Sequence, residues 1–148
     1  MEKVLKLALN RYPLVPNLLR VDPRVNAPAT TISVGLADLY HHYYLDSHGK
    51  FPPDPDPVHF EHVQFLLPTK EFRLQGSGLG IAPAIRRHRS NELGQAFCRW
   101  FLHDHFNITY FSHLEKILNR QLRRGFNSCR IERDSSGDTP ELLLRRKC

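Results

Sequence analysis

Apolar residues recur at helical spacing in four stretches of the chain and alternate in others. Over residues 2–11, Val4, Leu5, Ala8, Leu9 and Tyr12 share one helical face, and Pro13 and Pro16 end it. Residues 31–46 repeat the pattern with Leu36, Leu39, Tyr40 and Tyr43. The clearest stripe is Leu93, Ala96, Phe97, Trp100 and Phe101. Ser90 or Asn91 suits its N-cap, which puts Glu92 in the first turn beside the positive end of the helix dipole. Ser112-His113-Leu114-Glu115 has the form of a capping box. It predicts another helix from 113, with Leu114, Ile117, Leu118 and Leu122 on one face, joined to the preceding one by 107–111. Val58 and Phe60, then Val63, Phe65 and Leu67, predict strands over 58–67 and 71–75 with a bulge near His62. Residues 128–134 read as a further strand.

Proline and glycine punctuate this pattern. Pro13, Pro16, Pro23 and Pro28 predict an extended connector over 13–30. The run Phe51-Pro52-Pro53-Asp54-Pro55-Asp56-Pro57 predicts a stiff loop, since each proline fixes φ and removes a donor. Gly76-Ser77-Gly78-Leu79-Gly80 predicts a flexible hinge. The implied organisation is an accessory region over 1–75 made of helices plus a hairpin, a glycine- and arginine-rich hinge over 76–89, and a C-terminal module over 90–148. The expected fold class is α+β: helices packed on a small, incomplete β-sheet, with a proline-rich, irregular N-terminal region.

Charge adds an asymmetry. The 148 residues carry a net charge of +6. Residues 1–69 hold 6 Lys/Arg against 7 Asp/Glu, and residues 70–148 hold 15 against 8. A basic half points to a polyanionic partner such as nucleic acid; a solvated basic face is the plainer reading of the same charge. Cys98, Cys129 and Cys148 form no CxxC pair, which favours a reducing compartment, and Cys98 reads as a small buried hydrophobe of its helix. No signal-like N-terminus or membrane-length apolar run is present in the sequence, so the expected location is cytoplasmic, with no membrane partner.

Candidate chemistry concentrates in the second half. Arg86-Arg87-His88-Arg89 is suited to gripping phosphates, and Arg120, Arg123 and Arg124 add to the basic set. A solvated helix end explains these arginines equally well. The glycines at 76, 78 and 80 lack the spacing of a phosphate loop. Nine histidines raise the question of zinc, with His59 and His62 or His103 and His105 as pairs. Positions 103 and 105 diverge on a helix, so histidines that are satisfied or face solvent are the expectation.

Near the C-terminus stand Ser135-Ser136-Gly137-Asp138-Thr139-Pro140-Glu141. Gly137 permits a tight turn, Pro140 stiffens a strand entry, and Asp138 and Glu141 offer hard oxygen ligands. The plain alternative is a β-turn whose residues merely suit its geometry. The order helix, strand, turn, acid at the start of a second strand resembles the opening of the PD-(D/E)xK, or restriction-endonuclease-like, superfamily over residues 90–145. That resemblance implies phosphodiester hydrolysis on DNA, with Mg2+ held by Asp138 and Glu141 and with Glu92 as the helix acid. Pro140-Glu141 would be the Pro-acid element, with Glu in place of the usual Asp. No Asp-x-Lys or Glu-x-Lys follows Glu141, and Arg145 stands two positions before Lys147. The expectation is therefore a truncated nuclease-like core, weakly active or inactive as this chain alone. A non-catalytic nucleic-acid-binding module is the alternative. So is a protein-interaction domain whose partner, or a second copy, covers an open sheet edge.

Overall fold

The structure, a computed structural model, describes residues 1–9, 14–113 and 142–146. It divides into two compact units, Met1–His105 and Phe106–Cys148. The architecture is α+β: helices pack on a small sheet beside a proline-rich, irregular N-terminal region.

In the first unit, strand β1 (Glu2–Lys6) pairs antiparallel with β2 (Thr31–Gly35), with Val4 opposite Ser33. On the other side of β1, a parallel bridge joins Val4 to Glu71. The Val4 amide donates to the Lys70 carbonyl at 2.8 Å, and the Phe72 amide donates to the Val4 carbonyl at 2.9 Å. The predicted N-terminal helix is thus a strand. Its apolar residues fit a helical face, but the ten residues of 2–11 are too few to hold an isolated helix, and pairing on both sides satisfies the backbone of Glu2–Lys6 as strand. Lys3 decides which face of β1 is buried. It is 1% exposed, and its ammonium donates to the carbonyls of Leu67 and Thr69, each at 2.6 Å.

Helix α1 (Leu36–His48) follows β2 directly, so the predicted helix over 31–46 is strand for its first five residues. Leu36, Leu39 and Tyr40 are buried along one face, as their spacing predicts. Gly49 ends the helix in the left-handed region at φ 68°, where its amide caps the Leu45 carbonyl at 3.0 Å. Asp56 then caps a 3-10 turn at Pro57–His59, accepting from the Val58 amide at 2.9 Å, and a second 3-10 turn runs over Glu61–Phe65. The predicted strand over 58–67 is therefore mostly helical turn. Asp56 and Pro57 together favour a turn start over extended pairing. Ladder geometry survives at Leu66 and Leu74, which form an antiparallel bridge.

Helix α2 (Pro83–Phe106) is the longest element among the described residues. It begins seven residues before the predicted cap at Ser90. Proline suits the first helical position, where its missing amide proton costs nothing. Ser90 and Asn91 are therefore interior and exposed, and Glu92 is the tenth residue of α2 rather than part of its first turn. The predicted stripe is real. Ala96 and Trp100 join Val34, Leu39, Tyr40 and Phe60 in the core, with Leu93, Phe97 and Phe101 packed around them. Cys98 corrects its expectation, since its side chain is exposed. Arg99 on α2 donates to Asp46 on α1 at 2.8 Å. Among the described residues no helix is long and apolar enough to cross a membrane.

In the second unit, β3 (Ile108–His113) pairs antiparallel with β4 (Leu142–Arg146), with an irregularity between Ile108 and Tyr110. Asn107 precedes β3 at φ 55°, a left-handed conformation that asparagine tolerates better than most residues. Residues 107–111 and the first two of the predicted capping box thus belong to a strand entry and strand. The helix predicted beyond 113 and the strand over 128–134 lie outside the described residues. β4 begins immediately after Glu141, where a second strand was expected.

Candidate metal centre

Glu92 does not stand alone on α2. One carboxylate oxygen lies 3.3 Å from Nε2 of His88, one helical turn earlier. The other lies 3.5 Å from Nε2 of His62 on the Glu61–Phe65 turn. Glu61 completes the group: one ligand atom each from Glu61, His62 and Glu92 lies within 4.8 Å of the other two. The local folding that achieves this is simple. The 3-10 turn buries Phe60 and His62 together at 1% exposure each, against the face of α1 that carries Tyr43.

His62 is the unusual member. Neither ring nitrogen has a partner in full hydrogen-bond geometry, the Arg89 backbone lying near enough only to act on its charge. Glu92 is near enough for charge attraction, but the contact falls short of hydrogen-bond geometry. Burial pushes the His62 pKa down, against the pull of the Glu92 and Glu61 carboxylates and the Arg89 backbone carbonyl, while the Arg89 charge adds to the depression. The ring is therefore neutral at pH 7, the form that ligates a metal. The same two carboxylates, after burial itself, raise the Tyr43 pKa. Buried polar atoms normally find partners, and an orphaned buried imidazole facing two carboxylates has the donor set of a cation site. Two carboxylates and one imidazole suit Mn2+ or Zn2+; Mg2+ prefers all-oxygen surroundings. Beside Glu92 opens a cavity of about 290 Å³, lined by Tyr43, Ser47, His88, Asn91 and Gln95 among others.

The residues singled out from the sequence are distributed as follows. Glu92 is at the centre of the group. Arg86 and Arg87 are exposed on the first turns of α2. Arg89 is half-buried, donating to the Leu79 carbonyl at 3.2 Å with its guanidinium 4.7 Å from the centre of the Phe65 ring. Asp138, Glu141, Arg120, Arg123 and Arg124 lie outside the described residues. His59 does not join His62; it pairs with Asp54 at 3.2 Å. His103 and His105 diverge as expected. His105 packs against Trp100 and Phe101, while His103 meets Asp104 at 2.8 Å.

Sequence reasoning missed Glu61 and the Glu92 partnership of His62. The available signal was faint: a Glu-His dipeptide after a proline-rich loop, thirty residues from the helix acid. Comparison with protein-family models, with curated proteins and with solved structures gave no match to the chain.

Proposed function

We propose that the protein binds nucleic acid and a divalent metal ion together, as a nuclease-type module. The observation that carries this reading is the neutral, orphaned imidazole of His62 facing the Glu92 carboxylate. Exposed Arg86 and Arg87 stand one to two turns before Glu92 on the same helix. A divalent ion there would polarise a phosphodiester and acidify a bound water. The chain's own residues have distinct roles. Glu61 and Glu92 supply charge, His62 supplies a fixed nitrogen, and Arg86 and Arg87 hold the phosphate backbone without reading sequence. The resemblance to PD-(D/E)xK nucleases supports DNA as the polymer and assigns Mg2+ to the all-oxygen pair Asp138 and Glu141. Mn2+ is the ion proposed for Glu61, His62 and Glu92.

The test is binding of the full chain to a DNA duplex with and without Mn2+, at rising salt. The expected result is affinity that falls steeply with salt and rises several-fold with Mn2+, the Mn2+ gain being lost in Glu92→Gln. Binding indifferent to salt would overturn the nucleic-acid reading and favour a protein partner. Cleavage of duplex in Mg2+ alone, unaffected by Glu92→Gln, would show that this site does not serve the chemistry.

A further inference from the structure

A second group of metal-ligating side chains lies at the other end of α2. His42 is buried at 6% exposure, and its Nδ1 has no hydrogen-bond partner. Its ring centre is 5.1 Å from that of His103. Nδ1 of His103 lies 2.8 Å from a carboxylate oxygen of Asp104. One ligand atom each from His42, His103 and Asp104 lies within 4.8 Å of the other two.

We propose that His42, His103 and Asp104 form a zinc-class metal site that fastens α1 to the last turns of α2. Two imidazoles and a carboxylate are a common three-residue zinc donor set, which leaves a fourth position for water. A tetrahedral ion with such bonds spaces its ligand atoms about 3.4 Å apart, inside the 4.8 Å that bounds this group. The moving parts are available: His103 and Asp104 are exposed on the helix, whereas His42 is held by its surroundings. The last turn of α2 adds the negative end of a helix dipole. Arg99 is the opposing charge nearby, and its pairing with Asp46 at 2.8 Å offsets it. Glu92 and His103 are eleven positions apart on α2, about 16 Å along its axis, so this site is separate from the Glu61–His62–Glu92 group.

The test uses the untagged full chain, stripped of metal, titrated with Zn2+ by calorimetry and with Co2+ by visible absorption. The expected result is a Zn2+ affinity that weakens at least a hundredfold in His103→Ala. The tetrahedral Co2+ absorption should disappear in the same variant. Asp104→Asn, a milder change at an exposed position, should weaken Zn2+ about tenfold, and it decides the matter if His103→Ala fails to fold. His59→Ala, at a half-exposed ring that belongs to neither group, should leave this Co2+ signal intact. Zn2+ affinity and Co2+ absorption unchanged in folded His103→Ala or in Asp104→Asn would overturn the proposal.

Discussion

The Glu92 carboxylate faces Nε2 of His62 at 3.5 Å, across the gap between α2 and the 3-10 turn that follows Phe60. One partner is a carboxylate 24% exposed whose facing oxygen is buried, and the other a fully buried neutral ring. Neither supplies what the other lacks unless a proton or a cation comes between them. Removing charge on the carboxylate side should therefore act on metal affinity before stability. Glu92→Gln and Glu61→Gln should each weaken Mn2+ binding at least tenfold by calorimetry. His88→Ala should change it little, because that ring is three-quarters exposed. Equal affinity in all three variants would remove the site.

Lys3 is a stability residue. Its ammonium is the only side-chain group seen on the carbonyls of both Leu67 and Thr69 among the described residues, and it ties β1 to the loop that brings residues 70–72 alongside. Hydrogen bonds to a charged group contribute roughly 1.5–3 kcal/mol, and the two carbonyls would be left without this donor. Lys3→Met should cost about 3 kcal/mol in urea unfolding, with the slope against denaturant unchanged.

Acid should destabilise the metal-free protein through its buried histidines. His42 falls from 6.5 to about 4 on folding, chiefly by burial, and His62 and His105 move the same way. The unfolded chain takes up protons that the folded chain refuses. The stability contribution is thus intact above pH 6.5, is lost progressively down to pH 4, and changes no further below that. For His42 the loss is about 3 kcal/mol. In chelator, His42→Gln should lose less stability than the parent between pH 7 and pH 4, by about that amount. Parallel losses would show that another group drives the acid transition.

The three arginines before Glu92 should separate by role. Arg86→Ala and Arg87→Ala should each lower the salt slope of DNA binding by about 1, without altering thermal stability. Arg89→Ala should do the reverse. It removes a guanidinium over Phe65 and a donor to Leu79, a loss of about 1 kcal/mol readable in the melting temperature.

The sequence determined those features whose signals are local. The stripe from Leu93 to Phe101 lies within one helix, and its spacing alone identifies the buried face. The same holds for Leu36, Leu39 and Tyr40 of α1. Tertiary structure decided the rest. Val4 and Leu5 fit a helical face as well as a strand, and only the backbones of β2 and residues 70–72 resolve that ambiguity. Lys3 reads as a surface charge until two distant carbonyls enclose it. Ser90 and Asn91 are good caps that Pro83 pre-empts. His62 was visible as a histidine but not as a neighbour of Glu92. They stand thirty positions apart, across turn, bridge and helix, and spacing along the chain carries no information about a contact made by folding back.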